Sequence, residues 1–199
     1  GLKKDQQEAM KKAKIPDFYV KSCKTVQYLF PKAHAVAYVL SAYRIAYCKV
    51  HYPLAFYAAY FSIRADDFDA DLIVQGKDVI KARLREIDQM GNKASVKEKS
   101  LQTILEVALE MFLRGFKLYS IDLYKSDPIR FQVLEDGLLP PLSALQGLGD
   151  NAAKNIAEAR KQREFLSIDD LRNRSHISKT IVEMLRGHGC LTGLPESDQ

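Results

Sequence analysis

The 199-residue sequence can hold one large domain or two small ones, and it shows neither a secretory signal nor the roughly 20 consecutive apolar residues that would span a bilayer. Its net charge of +5 is uneven, because residues 1–52 carry a net +7; this suggests a polyanionic partner, although charge alone favours a solvated helix face. Cys23, Cys48 and Cys190 are scattered without Cys-x-x-Cys spacing, which argues against a zinc site or disulfide framework and favours a reducing cytoplasm.

Two short helices are predicted at the start of the chain. Helix-forming polar residues dominate residues 5–14, and Pro16 ends that helix. A second helix begins at Pro16 and Asp17 and runs to about Leu29. Residues 1–4 read like a cut inside a longer protein, so we expect the chain to be one piece of a larger polypeptide.

A third helix is predicted over residues 31–51, from Pro31 to the interruption at Pro53. One stripe is spaced for burial: Ala35, Val39, Ala42, Ala46 and Val50. A neighbouring face carries His34, Tyr38, Ser41 and Ile45. Lys32 and His34 lie in the first turn, so the helix dipole, a cation and an imidazole donor all favour a phosphate there. Such a histidine is more often a core or surface residue, and the residues alone leave both interpretations open.

The next stretch predicts structural elements without visible chemistry. Residues 53–64 form an aromatic-rich helix that we expect to be core and not a base-stacking surface. The Asp-rich stretch 66–71 invites comparison with a two-metal site, but Asp69 is expected to cap the next helix. Amphipathic helices follow over residues 70–90 and 95–115, and a terminal glycine closes the second.

Residues 116–145 change character. Strand-like residues occupy 116–123 and 129–134, separated by Ser126-Asp127-Pro128. A turn at Glu135-Asp136-Gly137 follows. We expect a small sheet of two or three strands in this region.

The most informative stretch is Gly147-Leu148-Gly149, which is followed at once by a helical pattern over residues 151–162. Asn151 is expected to cap that helix. Two glycines around one apolar residue allow a sharp turn that brings bare N–H groups to a helix N-terminus, where the dipole favours an anion. The anion suited to a sequence-independent contact is a DNA phosphate. The alternative is an ordinary glycine-rich turn between two packed helices.

With Ala153, Ile156 and Arg160 behind it, this turn resembles the helix-hairpin-helix DNA-binding motif. The residues that we expect to contact the backbone of duplex DNA are Gly147, Gly149, Asn151 and Lys154. No side chain there offers an obvious base-reading pair, so the binding should be sequence-neutral. Helices predicted over residues 167–174 and 180–186 repeat the arrangement without the glycine pair and should be mainly structural.

A wider resemblance involves two blocks of the chain. Phe30-Pro31-Lys32-Ala33-His34-Ala35-Val36-Ala37-Tyr38, with the following stretches 46–53 and 57–69, resembles the fingers of bacterial C-family replicative DNA polymerases. The stretch 139–195 continues the resemblance in the same order. The chain is most similar to the PolC-type alpha subunit of DNA polymerase III, of which it resembles a C-terminal fragment containing part of the fingers and the helix-hairpin-helix region.

The resemblance implies that the fingers segment contacts the incoming deoxynucleoside triphosphate (dNTP), through the residues Lys32, His34, Tyr38 and Arg44. It also implies that the catalytic aspartates and their Mg²⁺ ions belong to a palm domain outside this chain, so we expect neither catalytic residues nor a bound metal here. The partners would be dNTP, duplex primer-template DNA and, in the parent protein, the sliding clamp. The clamp-binding peptide would begin at Gln199, so most of it is missing from this sequence.

The predicted fold is mainly α-helical, with a helical fingers subdomain, a small β-sheet linker and a tandem helix-hairpin-helix module. The expected boundaries are 1–115, 116–145, 146–192 and a truncated tail over 193–199. As a fragment of a replicative polymerase, the chain should lack polymerase activity on its own. The alternatives are a free-standing helix-hairpin-helix DNA-binding or repair accessory protein, which would have no triphosphate site, and an interaction module whose glycine turn is purely structural.

Overall fold

The structure is a computed structural model that describes residues 2–25, 31–64 and 67–197, which are mainly helical with one small sheet, as the sequence predicts. The helices are α1 (Lys4–Lys12), α2 (Asp17–Thr25), α3 (Lys32–His51), α4 (Pro53–Ile63), α5 (Ala70–Ile73), α6 (Lys77–Met90), α7 (Val96–Leu113), α8 (Asp150–Gln162), α9 (Ile168–Ser175) and α10 (Lys179–Gly187). The strands are β1 (Lys117–Leu118), β2 (Gln132–Val133) and β3 (Gly137–Leu139). The chain divides into two compact units, Gly1–Ala46 and Tyr47–Gln199.

The first unit is helical and has little core. Helix α1 ends where Lys14 takes a left-handed φ of 52° and the Ile15 N–H donates to Met10 O. Helix α2 begins at Asp17 as predicted, whereas its expected C-terminal end at Leu29 lies outside the described residues. Val20 is the only buried residue in the described part of this unit. These helices therefore depend on local hydrogen bonds more than on packing.

Helix α3 confirms the predicted span but not the predicted burial. Pro31 O accepts a hydrogen bond from Ala35 N–H, so Pro31 precedes the first turn. All five residues of the stripe expected to be buried are exposed, and α3 has no buried residue at all. That prediction is wrong because spacing defines a face but not its covering, and the first unit supplies no core against which the stripe can pack.

In the second unit, the helix predicted over residues 70–90 is two helices. Asp69 caps α5 as predicted, because its Oδ1 accepts the Leu72 N–H at 3.0 Å. Gly76 then takes a φ of 96°, which breaks the helical path before α6. The amphipathic pattern continues across the break, so periodicity alone could not reveal it.

Helix α7 has well-defined ends. Ser95 and Glu98 form a capping box, with the Ser95 N–H donating to Glu98 Oε2 at 2.7 Å. At the other end, Gly115 has a φ of 87° and the Phe116 N–H donates to Met111 O. The glycine closure predicted for this helix is thereby confirmed.

The predicted small sheet is present with three strands in the order β1-β3-β2. Strand β3 runs parallel to β1 and antiparallel to β2. Gly137 opens β3 beside β1, and a Cβ atom there would stand 2.3 Å from Lys117 O. The sheet is shorter than the predicted strand-like stretches, and any side chain at residue 137 would clash with the neighbouring backbone.

One hydrophobic core runs through the second unit, from Tyr57 on α4 to Leu191 beyond α10. Tyr57 and Phe61 are fully buried, so the aromatic helix is core as predicted. Of the side chains expected to hold the two hairpin units together, Leu145, Ile156, Phe165, Leu171 and Leu185 are buried and Ile181 is half-buried. The helix-hairpin-helix region therefore shares its core with the helices before it.

No helix within the described residues is long and apolar enough to cross a membrane.

Candidate nucleic-acid interface

The glycine hairpin joins a short 3-10 helix (Leu142–Ala144) to α8. Gly147 has a φ of 93°, a conformation that is strained for any residue with a side chain. A Cβ atom at Gly147 would stand 2.7 Å from Met184 Cε on α10, although that flexible thioether end could move. Leu148 is 2% exposed and anchors the turn in the core. The two neighbouring glycines stay at the surface while the leucine holds the loop in place.

Helix α8 begins one residue earlier than predicted, which changes its cap. Gly149 is the N-cap residue with a φ of −70°, and its carbonyl accepts the Ala153 N–H at 3.1 Å. Asn151 is the second helical residue, so the prediction that it caps α8 is wrong. The N-cap position, from which a side chain best accepts the first-turn N–H groups, is instead occupied by a glycine.

The first turn of α8 therefore presents uncapped amides. Glycine has no side chain that can cap, and no other described residue accepts a hydrogen bond from the N–H groups of Asp150, Asn151 and Ala152. The dipole of the helix adds partial positive charge at this point. Asp150 opposes it, because its carboxylate lies in the same turn. The turn can accept an anion if a cation offsets Asp150.

The four predicted DNA-contacting residues lie together on one exposed stretch. Gly147, Gly149, Asn151 and Lys154 are all exposed. Lys154 is one turn beyond the helix start and supplies the cation that the first turn needs. The opposite face of α8 is buried through Ala153, Ile156, Ala157 and Ala159. The predicted contact residues are therefore separate from the face of α8 that packs into the core.

The predicted second hairpin follows the backbone path of the first with different residues. His176 takes a left-handed φ of 53° where the first hairpin has Gly147. Ile177 is buried, as Leu148 is in the first hairpin. Ser178 is the N-cap of α10, and its Oγ accepts the Ile181 N–H at 3.3 Å. This hairpin satisfies one of its own first-turn amides, which the glycine hairpin does not.

Arg160 supports the fold and does not contribute to the exposed face. Its guanidinium donates to Leu123 O and to Ser126 O, both at 2.6 Å. Burial lowers the pKa of this guanidinium, while Asp127 and Asp122 oppose that shift. Arg160 thus fixes the loop after β1 against α8. Its part in the sequence resemblance reflects packing, which residue type alone does not distinguish from DNA contact.

An ion network around the buried carboxylate of Asp170, which the sequence did not suggest, holds α9. The carboxylate of Asp170 binds the guanidinium groups of Arg163 at 2.9 Å and Arg174 at 3.1 Å. Burial tends to raise the pKa of Asp170, but the Leu166 N–H and the two arginines outweigh it and hold the pKa below its usual value. Arg174 also donates to Ala159 O and lies over the Phe165 ring at 4.8 Å. The only signal in the sequence is the i, i+4 spacing of Asp170 and Arg174.

The segment after α10 packs against the module. The carbonyl oxygens of Pro195 and Glu196 accept the N–H groups of Ile168 and Asp169 at 2.9 and 3.1 Å. Arg186 also pairs with Glu196 at 3.0 Å. Pro195 and Glu196 therefore serve as a backbone cap for α9, whereas Gln199 lies outside the described residues.

The four predicted nucleotide-binding residues all lie exposed on α3. The rings of His34 and Tyr38 are brought together, with centroids 4.5 Å apart and planes at 37°. Lys32 opens the helix one half-turn before His34. Arg44 follows His34 by ten residues, or about 15 Å along the axis. The structure thus brings together only His34 and Tyr38, whereas Lys32, two residues before His34, lies about 200° around the helix axis from it and Arg44 lies farther along the helix.

A metal centre would need several carboxylate, imidazole or thiolate groups close together. Within residues 2–25, 31–64 and 67–197, no three such groups are placed to hold an ion. Asp67 and Asp69 are engaged locally, by the Ser100 hydroxyl and by the Leu72 N–H.

Known proteins match both the hairpin region and the whole chain. A family model of the helix-hairpin-helix motif matches residues 115–199. Curated relatives named DNA polymerase III PolC-type are 55% identical in Clostridium perfringens, 56% in Halalkalibacterium halodurans and 51% in Bacillus subtilis, each over 199 residues. Each match covers 100% of this chain but 14% of the relative, so the chain spans about one seventh of those proteins. Over its whole length, the chain is therefore similar to one segment of proteins named DNA polymerase III PolC-type.

Proposed function

We propose that this chain is the part of a replicative DNA polymerase that holds the primer-template duplex and positions the incoming dNTP. The observation that carries the proposal is the glycine hairpin, which places uncapped amides at the start of α8 within a region matched by the helix-hairpin-helix family model. The 51–56% identity to proteins named as PolC-type polymerases supports the polymerase context. The parent enzyme would be a nucleotidyltransferase.

Duplex binding would rest on phosphate contacts alone. The amides of the first turn of α8 would donate to phosphate oxygens, and Lys154 would supply the countercharge. Gly147 and Gly149 would allow the backbone to approach the DNA without a side chain between them. The proposed contacts go to the DNA backbone and not to base edges, so the chain would bind any sequence, as a replicative enzyme requires.

Nucleotide binding would occur at the start of α3. The Lys32 ammonium and the His34 imidazole would meet the triphosphate beside the positive end of the helix dipole. Tyr38, stacked beside His34, would offer a ring face or a hydroxyl to the same ligand. Arg44 is the most distant member of the proposed set and would contact a remote part of the substrate.

The chemistry of extension would come from elsewhere in the parent protein. Palm aspartates would hold Mg²⁺ there and promote attack of the primer hydroxyl on the triphosphate. The sliding clamp would be a further partner of the parent protein. All of these steps would take place in a reducing cytoplasm, where the three thiols, free in the structure, would remain reduced.

Fluorescence anisotropy with labelled duplex DNA tests the proposed duplex binding by the glycine hairpin. We expect the 199-residue chain to bind two unrelated duplexes equally well, and Gly147→Glu to abolish most of that binding, because it places a carboxylate among the phosphates. Lys154→Ala should weaken binding about three- to tenfold and lower the salt slope by about one. Unchanged binding in both variants would refute the DNA role of the hairpin.

Steady-state kinetics of the parent polymerase test the nucleotide site. Lys32→Ala and His34→Ala should each raise the KM for dNTP about tenfold or more, because each removes a charged or donating partner of the triphosphate. Lys21→Ala, which removes an exposed charge outside α3, is the matched control. The 199-residue chain alone should extend no primer. A KM unaffected by both α3 substitutions would favour a duplex-binding module without a triphosphate site.

A further inference from the structure

A lysine outside the helix-hairpin-helix region reaches the glycine hairpin. Lys97 lies in the first turn of α7, and its Nζ is 3.3 Å from Oε1 of Gln146, the residue immediately before Gly147. The contact joins positions 49 residues apart in sequence. The ammonium group of α7 therefore stands at the edge of the surface that holds the predicted phosphate contacts.

The side chain of Gln146 is oriented by a second contact. Its Nε2 donates to Phe68 O at 2.6 Å. Because the amide nitrogen is engaged by a carbonyl, the amide oxygen is the end that faces Lys97, which settles which way the group points. Gln146 thus holds the lysine against the hairpin without neutralising its charge.

The neutral partner of Lys97 contrasts with the carboxylate partners of three other lysines of the second unit. Lys49, Lys117 and Lys161 each approach a carboxylate oxygen at 2.5–2.6 Å. Lys97 is exposed, and no carboxylate in the described part of the chain forms an ion pair with it. Its charge is therefore available to an external anion.

Nearby carboxylates are engaged in local structure. Glu98 accepts the Ser95 N–H in the capping box, and that hydrogen bond is the main reason that its pKa is lowered. Asp67 accepts the Ser100 hydroxyl at 2.7 Å, and Asp69 caps α5. They line a cleft of about 370 Å³ beside Lys97 and Gln146. A phosphate would meet the lysine at the rim of this cleft and not within it.

We propose that the duplex-binding surface extends from the glycine hairpin onto α7, with Lys97 as a direct contact to the DNA backbone and Gln146 as the residue that positions it. The inference rests on the proposed duplex-binding function and adds a contact that the helix-hairpin-helix motif does not contain. Successive phosphates of one strand advance about 3.4 Å along the duplex axis. A duplex seated on the hairpin therefore presents further phosphates beside the first, where the lysine lies.

The test is anisotropy of the 199-residue chain with two duplexes of unrelated sequence over a range of salt concentrations. Lys97→Ala should weaken binding about three- to tenfold on both duplexes and lower the salt slope by about one. Lys97→Arg should bind like the unsubstituted chain, because it retains the charge. Lys99→Ala is the matched control, since it removes the same charge from an exposed position two residues along the same helix. It should change binding less than twofold.

The variants at Gly147 and Lys154 separate the proposed extension onto α7 from the proposed duplex-binding function. If Lys154→Ala weakens binding but Lys97→Ala behaves like Lys99→Ala, the extension onto α7 is refuted and the hairpin grip stands. If Gly147→Glu and Lys154→Ala both leave binding unchanged, the proposed function itself fails. Equal melting temperatures for the Lys97 and Lys99 variants are expected because both side chains are exposed. A lower melting temperature for Lys97→Ala, with Lys97→Arg failing to restore binding, would show a structural role and overturn the proposal.

Discussion

The two hairpins of the second unit share one backbone path and differ in how they treat the amides at the following helix start. Gly147 and His176 both take a left-handed φ, and Leu148 and Ile177 are both buried in the core. Gly149 leaves α8 uncapped, whereas Ser178 caps α10 with its own hydroxyl. The comparison teaches that the same turn can leave the N–H groups of a helix start open to an anion or satisfy them within the fold. Which of the two occurs depends on whether the N-cap residue has a side chain that accepts hydrogen bonds.

The largest expected effect concerns the left-handed position. Gly147→Ala should lower the free energy of unfolding by about 1–2 kcal/mol, because alanine is strained at a φ of 93°. His176→Gly should raise it by a few tenths to about 1 kcal/mol, because it relieves the corresponding strain in the second hairpin. Urea denaturation of both variants measures the two changes. If both substitutions change the free energy of unfolding in the same direction, the two hairpins do not share a left-handed position.

A smaller effect should separate the two caps. Ser178→Ala should cost about 1 kcal/mol of stability, because it removes the hydroxyl that accepts the Ile181 N–H, and it should leave duplex affinity unchanged. Gly149→Ser should instead raise stability and weaken duplex binding. Its φ of −70° and the open space around its Cβ position allow a serine there, whose hydroxyl would accept a first-turn amide.

That serine should gain a few tenths of a kcal/mol in stability and weaken duplex binding about two- to fivefold, since the hydroxyl competes with phosphate for the amide. Thermal melts and anisotropy on the same samples measure both quantities. If Gly149→Ser binds duplex DNA as tightly as the glycine, the uncapped amides are not phosphate donors.

The sequence predicts those features well that depend on neighbouring residues along the chain. The span of α3, the Asp69 cap, the glycine that closes α7 and the two hairpins are all recoverable, because each depends on residues within a few positions of one another. The Asn151 cap is wrong by two residues, because Asp150 is a good first-turn residue and the chain enters the helix at once after Gly149.

Features that depend on distant partners are not recoverable in this way. Burial of the α3 stripe requires a covering surface, and the role of Arg160 depends on two carbonyl groups more than thirty residues away. The contact between Lys97 and Gln146 joins positions 49 residues apart. The boundaries at residues 115 and 145 and the predicted nucleotide-binding and DNA-binding residues stay predictions.

An aromatic cluster crosses the point where the family match begins. Phe131 stands 5.6 Å from Phe61 and 4.8 Å from Phe68 between ring centroids, so its partners precede residue 115. His188, beyond α10, also binds Asp71 on α5. Cutting the polypeptide at residue 115 would strip these rings of their neighbours and expose them to water. The motif is thus a recognisable stretch of sequence but not a detachable part, because the helices from α4 to α7 share its hydrophobic core.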